Sequence, residues 1–291
     1  MSLLLGPAFK IGSTLAFAGM LVTVKELGTR FPPGEVVFFR SAFALAPVFA
    51  MVWWQGQLAD GLRTARPWGH LVRSVVGVTA MALWFTGVQR LPLADGLAIT
   101  YAAPLVTVAL AALLLGETVG GVRWAAVLVG FLGVGVVLSP HLGDVAHVAE
   151  GGAALGALAC FGSAFFMALA QIQVSRLTET EKTGAIVVWF SIGSALCALA
   201  TAPFGWVMPS AEDAALLVAT GLFGGVGQIL MTQSFRHADA SVVAPLEYAS
   251  MIWAVATGWW FFGDVPSLVV LAGTAVVVAS GVAVVWSARR A

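Results

Sequence analysis

The sequence contains little charge. Asp, Glu, Lys and Arg together make up 10% of its 291 residues, whereas a soluble domain contains about a quarter. The mean hydropathy is +0.96, so the composition excludes an ordinary water-soluble fold. The 14 acidic residues balance the 14 basic residues, which leaves no basic field that would attract nucleic acid. We therefore expect a protein of the lipid bilayer with no nucleic-acid partner.

Cysteine and histidine are also scarce. The two cysteines, Cys160 and Cys197, lie inside apolar stretches and offer no disulfide framework. The four histidines fall in links or at the ends of apolar stretches, without the spacing of metal ligands. The interiors of the apolar stretches contain neither histidine nor paired carboxylates, which a membrane enzyme would need for acid–base or metal chemistry. We expect no metal, no cofactor and no enzyme activity.

Long apolar runs dominate what remains. A helix needs about 20 apolar residues to cross the hydrocarbon core of a bilayer, and ten stretches meet this criterion. The links between them are short, which leaves no room for a soluble domain. The sequence therefore predicts an all-α integral membrane protein with ten transmembrane helices. The ten stretches are residues 7–28, 34–54, 70–89, 95–115, 121–139, 152–174, 183–204, 214–235, 240–262 and 266–287.

The two halves of the sequence repeat one another at an offset of 147 positions. Each copy contains five predicted spans, an odd number, so the second copy must enter the membrane upside down. We expect two inverted five-helix repeats, residues 1–140 and 150–291, around a central cavity. Inverted repeats are typical of secondary transporters, whose site near the bilayer midplane is exposed to each side in turn. The aligned residues are Tyr101 with Tyr248, Gly116 with Gly263, and Glu117 with Asp264.

The distribution of basic residues predicts the orientation. If the N-terminus is cytoplasmic, ten of the 14 basic residues fall on the inner side and four on the outer side. Because cytoplasmic links are enriched in Lys and Arg, we expect both termini in the cytoplasm and the chain in a bacterial inner membrane. Arg40, in the outer third of the second span, is expected to extend to the outer interface or to guard the cavity mouth. The oligomeric state stays open, with a monomer among the options.

Several short segments carry a family resemblance. They are the two span endings Leu-Leu-Leu-Gly-Glu at 113–117 and Trp-Phe-Phe-Gly-Asp at 260–264, the entry into the second span at 32–40, and the link at 90–95. With ten spans, they make the chain resemble the EamA-type drug/metabolite transporter superfamily, and within it the YddG-like amino-acid exporters. The resemblance implies a basket of helices around a central cavity and alternating access. Its members move amino acids, nucleotide-linked metabolites, drugs and vitamins, so it does not fix the cargo.

Polar and aromatic residues inside the spans are candidates for the cavity lining. Glu247 is an acidic residue well inside a span, where a charge costs about 2.5–3.5 kcal/mol on insertion scales. It either binds a substrate amine or a coupling proton, or it is bonded to a neighbouring helix. The tyrosines line the cavity or anchor the interface, Trp84 lines the cavity or fills the core, and Ser163 has a packing role as its alternative. The predicted cavity residues are Trp84, Thr100, Tyr101, Ser163, Gln228, Glu247 and Tyr248.

Two prolines are predicted to interrupt equivalent spans. Pro104 lies in the fourth span and Pro245 in the ninth. A proline inside a helix removes a backbone donor and kinks the helix, and broken helices are where midplane sites form. We expect both prolines to act as hinges during transport.

The leading functional hypothesis is a secondary transporter that exports or exchanges small metabolites, with amino acids, including aromatic and hydrophobic ones, as the expected cargo. Aromatic side chains would offer ring faces to apolar or cationic groups, and the few polar groups would orient the cargo. The first alternative is a carrier for another metabolite, such as a nucleotide-derived compound, a vitamin or a drug. A membrane enzyme or a channel is a more distant alternative, since no ring of like charges or carbonyl filter is visible.

Overall fold

The computed structural model describes residues 5–54, 56, 63–115, 120–142, 152–178, 180–237 and 244–288. These residues form helices and links, with no strand among them. Two short 3-10 segments accompany the α-helices: Gly28–Arg30 follows α1, and Ala244–Tyr248 precedes α10. The α-helices are α1 Leu5–Leu27, α2 Pro33–Trp54, α3 Pro67–Val88, α4 Leu93–Thr100, α5 Ala102–Leu115, α6 Gly121–Leu142, α7 Ala153–Thr178, α8 Thr183–Leu199, α9 Ala211–His237, α10 Ala249–Phe262 and α11 Leu268–Ala288.

Within the described ranges, the helices form ten spans. Helices α4 and α5 are two parts of one span, and the 3-10 segment Ala244–Tyr248 continues into α10. Counted over the described residues alone, six spans are long and apolar enough to cross a membrane by length and composition: α1, α2, α3, α4–α5, α7 and α9. The apolar parts of α6, α8 and α11 are shorter. The prediction of an all-helical fold is confirmed for the described residues, and their long apolar helices agree with a membrane protein.

Proline and glycine set several helix boundaries. Pro33 and Pro67 stand at the first positions of α2 and α3, where a missing N–H costs no helical bond. Gly263 ends α10 in the left-handed conformation, with φ of 67°, which glycine adopts without strain. The N–H of Asp264 then donates to the Gly258 carbonyl at 3.0 Å, a helix-ending bond. This accounts for the Gly-acid ending of the ninth span, whereas its counterpart Gly116–Glu117 lies outside the described residues.

The contacts between helices recur when the two halves of the chain are interchanged. Helix α1 lies along α9, and α3 lies along α7. Helix α2 contacts α9 and α8, and α3 also contacts α8. The first, second and third spans (α1, α2 and α3) correspond to the sixth, seventh and eighth (α7, α8 and α9). The contact between α1 and α9 therefore corresponds to the contact between α7 and α3. The contact between α2 and α9 corresponds in the same way to the contact between α8 and α3. Helix α6 packs along α11. These two helices are counterparts of each other, so their contact corresponds to itself.

Small residues allow the closest of these contacts. At the α6–α11 crossing, a Cβ built on Gly273 would lie 2.9 Å from the Gly133 carbonyl oxygen, and a Cβ built on Gly133 would lie 3.0 Å from that of Gly273. The two backbones therefore touch, as the high glycine content predicts for helices packed in lipid.

Two buried carboxylates accept backbone hydrogen bonds from links at opposite ends of the bundle, and we call them the carboxylate caps. Glu35 Oε2, in the first turn of α2, accepts a bond from the Val207 N–H at 3.0 Å, in the link before α9. Glu181 Oε1, just before α8, accepts bonds from the N–H groups of Ala65 at 2.9 Å and Arg66 at 3.0 Å, in the link before α3. The first cap lies at the start of α2, and the second contacts the link that follows the end of α2.

Three basic residues lie deeper than the sequence predicts. Lys10, Arg40 and Arg73 are 2%, 3% and 7% exposed inside α1, α2 and α3. The expectation that Arg40 extends to the outer interface is therefore wrong, because its side chain packs inside the helix bundle. Without these three, the basic residues of the predicted inner face remain in the majority, and the orientation stays a prediction.

Candidate functional site

The two tyrosines of the chain contact each other. The rings of Tyr101 and Tyr248 have centroids 5.0 Å apart and planes at 83°, the edge-to-face arrangement that aromatic pairs prefer. The Tyr101 hydroxyl is hydrogen-bonded to Ser250 Oγ at 2.8 Å and points to the Tyr248 carbonyl at 3.4 Å. Tyr101 is 3% exposed. The residues that the repeat aligns are thus direct neighbours, where the two halves of the chain meet.

Each tyrosine sits at a break in its span. Helix α4 ends at Thr100 and α5 begins at Ala102, with Tyr101 between them. Pro104 lies in the first turn of α5 and has no N–H to bond the Thr100 carbonyl, four residues earlier. In the other half, the 3-10 segment that contains Pro245 ends at Tyr248, and α10 follows. The two breaks therefore fall at equivalent positions of the repeat.

Glu247, beside Tyr248, forms an ion pair with Lys10 of α1. The Lys10 side chain is 3% exposed and that of Glu247 is 42% exposed. Of the two interpretations that the sequence leaves open, bonding to a neighbouring helix is present in this structure. The half-exposed carboxylate also borders open space, which leaves it accessible to a ligand. The pairing offsets the cost of placing these charges in the membrane.

Helix α1 is joined to the span of α10 at three levels. Besides the pair near its start, Lys25 near its end forms an ion pair with Asp264. The Lys25 ammonium also donates to the Leu91 carbonyl at 3.1 Å. Between these levels, Trp253 Nε1 donates to Thr14 Oγ1 at 3.1 Å. The Gly-acid ending of the ninth span therefore has a structural function, since its acid bonds a lysine of α1.

The remaining predicted residues lie among the packed helices. Ser163 is fully buried, and its hydroxyl donates to the Ala80 carbonyl of α3 at 2.9 Å. The buried Thr100 hydroxyl donates within its own helix, to the Leu97 carbonyl at 2.8 Å. Trp84 is half-buried against an apolar cluster of α4 and α7, and Gln228 is 7% exposed in α9. The structure brings Glu247 and the two tyrosines together, whereas a cavity lining for these four stays a prediction.

A second cluster contains Arg40 and Arg73, of which the sequence analysis singles out only Arg40. The guanidinium carbons of Arg40 and Arg73 lie 5.8 and 3.9 Å from the centroid of one ring, that of Phe190 in α8. The Nε and Nη1 atoms of both arginines are buried without a hydrogen-bond partner. A charge at this depth is costly, so the cluster requires an explanation.

Two glycines make room for these arginines. A Cβ on Gly224 would lie 2.9 Å from Arg40 Nε, and a Cβ on Gly77 would overlap Arg73 Nη1. The two glycines are aligned by the 147-residue repeat. Glycine stripes in the third and eighth spans are visible in the sequence, where helix packing is the ordinary interpretation. Their alignment with each other, next to arginines inside spans, is the signal that could have located the cluster.

Comparison with known proteins identifies the family. A sequence model of the EamA-like transporter family matches residues 4–139 and again residues 154–286. A solved crystal structure that is 21% identical superposes with a TM-score of 0.69, over 98% of this chain and 97% of the other. At that identity, the structural likeness shows the fold alone.

Three relatives illustrate the range of cargo in similar proteins. An S-adenosylmethionine uptake transporter of Rickettsia conorii is 27% identical over 93% of this chain and 88% of the relative. A riboflavin transporter of Rhizobium johnstonii is 27% identical over 98% and 92%. A pseudopaline exporter of Pseudomonas aeruginosa is 28% identical over 96% and 95%. All three names describe transport, and none denotes an enzyme. With two matches to the family that together span most of its length, this chain belongs to the EamA-like transporter family and is a multi-pass membrane transporter of metabolites.

Proposed function

We propose that this chain is an alternating-access carrier built from two inverted halves, residues 1–140 and 150–291. The halves rock around the contact between Tyr101 and Tyr248, and the cargo is an amino acid that is exported or exchanged. Within the YddG-like branch of the family, this corresponds to an amino-acid exporter.

The tyrosine contact carries the proposal. When two copies of a unit are related by a two-fold axis, a residue touches its own counterpart only if it lies at that axis. Tyr101 and Tyr248 are counterparts in the sequence, and their rings are in contact. An axis between them therefore passes through the two breaks in the spans. Inverted repeats place their substrate sites at such breaks, near the bilayer midplane.

The two carboxylate caps and the helix contacts support the inversion. Glu35 and Glu181 lie at the start of the second span of their halves, and each accepts a bond from the link before the third span of the other half. These equivalent interactions lie at opposite ends of α2, as expected if one half is upside down relative to the other. The exchange of α1–α9 with α7–α3 agrees with the same axis.

The surroundings of the tyrosines favour a cargo with a cationic group. The Glu247 side chain is 42% exposed, and Tyr248 is the next residue of the chain, so a substrate ammonium there would meet a negative charge and an aromatic ring. S-adenosylmethionine, named for one relative, contains an α-amino-acid group, which agrees with this cargo. The riboflavin relative favours the alternative of a vitamin or another metabolite.

Counterflow tests the proposal. Purified protein in liposomes loaded with one unlabelled amino acid should take up the labelled form saturably, and faster than empty liposomes do. A panel of amino acids, nucleosides and vitamins identifies the cargo, and exchange of a vitamin alone would establish the alternative. Conductance without saturation would indicate a channel, and a chemically altered product would indicate an enzyme. Either result would refute the carrier.

The prolines at the two breaks should affect transport more than folding. Pro104→Ala and Pro245→Ala restore a backbone N–H, which allows a continuous helix and a stiffer hinge. We expect slower counterflow per folded molecule, with a smaller loss in the yield of folded protein. Pro140→Ala, at an exposed position near the end of α6, is the matched control and should leave the rate unchanged. Equal losses of flux and yield would show that the two prolines are only structural.

A further inference from the structure

Arg40 and Arg73 reach one point in the bundle from opposite ends. Helices α2 and α3 are consecutive spans and therefore run in opposite directions. With a rise of about 1.5 Å per residue, each arginine lies about 10 Å from the start of its helix. The starts of the two helices are at opposite ends of the bundle, yet both guanidinium groups lie over the ring of Phe190. The side chains therefore extend toward the middle of the bundle and meet there.

The positive charge at this point is not balanced by the described part of the protein. The Nε and Nη1 atoms of both arginines have no partner, and no described carboxylate forms an ion pair with either of them. The two guanidinium groups also repel each other electrostatically. The ring of Phe190 offers only a partial compensation through cation–π contacts. Since buried charges in proteins are normally paired, these two arginines are suited to bind a negative group.

A further buried donor lies on the helix that carries Phe190. Ser194 is four residues after Phe190 on α8, which places it on the same helix face. Its side chain is fully buried, and its hydroxyl also lacks a partner. The two guanidinium groups and this hydroxyl all have unused hydrogen-bonding capacity.

We propose that Arg40 and Arg73 bind the carboxylate of the transported molecule. The planar fork of a guanidinium matches the two oxygens of a carboxylate or the oxygens of a phosphate, and it forms paired charge-assisted bonds with either. This inference rests on the proposed carrier function, and it names the anionic group of the cargo. Gly77 and Gly224 leave the space in which the guanidinium groups lie, and Phe190 holds them on its ring.

The first test measures binding in detergent, where transport is not needed. The probes are benzoate, its neutral isostere benzamide, and inorganic phosphate. Benzoate should raise the unfolding temperature of the wild-type protein, and benzamide should have no such effect. In Arg40→Met and Arg73→Met, the affinity for benzoate should fall by about tenfold to a hundredfold, the usual effect of losing a charged hydrogen bond. A stronger response to phosphate than to benzoate, lost in the same variants, supports the oxyanion site and assigns it to a phosphate-bearing cargo.

The second test measures the protein without ligand. Replacing an unpaired buried cation with methionine removes its burial cost, so both variants should unfold at a higher temperature than the wild type. Arg30→Met is the matched control, because Arg30 is exposed and paired with Asp213. It should change neither the unfolding temperature nor the affinity for benzoate. Arg40→Lys keeps the charge but loses the fork, so it should fold and bind benzoate more weakly.

Structural arginines would give the opposite results. Lower stability or failure to fold in both methionine variants would overturn the proposal, as would an unchanged benzoate response. Counterflow of the wild type decides the carrier function separately. Benzoate binding without counterflow would refute the carrier and retain the anion site. Counterflow of the wild type, with unchanged benzoate binding in the variants, would retain the carrier and refute the anion site.

Discussion

Tyr101→Ala is expected to lower the free energy of unfolding by about 3–5 kcal/mol, the usual cost of removing a buried aromatic ring, and to abolish counterflow. Tyr101 is 3% exposed, so the substitution leaves a cavity where the two halves meet. It also removes the hydroxyl that bonds Ser250 and the ring that contacts Tyr248. Thermal unfolding in detergent and counterflow per folded molecule measure the two effects.

Two further variants separate folding from transport. Phe85→Ala removes a fully buried ring of similar size from α3, so it should cost comparable stability while the remaining folded protein transports normally. Tyr101→Phe keeps the ring contact and loses about 1 kcal/mol with the hydroxyl bonds, and it should slow counterflow. If Tyr101→Ala and Phe85→Ala reduce flux per folded molecule equally, the tyrosine contact has no special function in transport.

Glu247→Gln is expected to lower both stability and cargo binding. The substitution leaves the buried Lys10 ammonium without that carboxylate. Breaking a fully buried ion pair costs about 3–5 kcal/mol, and we expect about 2 kcal/mol here because Glu247 is half-exposed. Binding of a cationic or zwitterionic cargo should weaken by about 1.5–3 kcal/mol, the contribution of a charged hydrogen bond. If the carboxylate also carries a coupling proton, the pH dependence of flux should flatten.

The double variant Lys10→Met/Glu247→Gln distinguishes the two functions of this carboxylate. It removes both charges, so stability should largely return, whereas cargo binding should stay weak. Lys25→Met/Asp264→Asn makes the equivalent change at the other end of α1, and it should leave cargo affinity unchanged. Normal cargo affinity in Glu247→Gln would show that the carboxylate only joins helices.

The helical architecture follows from the sequence because hydropathy and chain length determine which segments cross a bilayer. The observed helices begin and end within a few residues of most predicted spans, since Pro33 and Pro67 mark starts and Gly263 marks an end. The repeat in the sequence also identifies Tyr101 and Tyr248 as equivalent positions. Their contact does not follow from the repeat alone, because a repeat gives equivalence but no distance from the axis.

The ion pairs and the arginine cluster lie beyond the sequence for a physical reason. Lys10 and Glu247 are 237 residues apart, and nothing local distinguishes Lys10 from an interfacial lysine near the start of a helix. Arg40 resembles a side chain that extends to the membrane surface until the fold places it over Phe190. Ser163 looks like a cavity residue by its helical face, but close packing of α7 against α3 directs its hydroxyl to Ala80. Each of these outcomes depends on which helices become neighbours.

Sided cysteine labelling tests the inversion of the two halves most directly. In a background without Cys160 and Cys197, single cysteines replace Thr64 and Val207, which lie in the equivalent links bound by Glu181 and Glu35. A membrane-impermeant maleimide added to intact cells should label position 207, and position 64 should react only after the membrane is permeabilised. Labelling of both positions from the same side of the membrane would contradict the inverted arrangement and, with it, the alternating-access account.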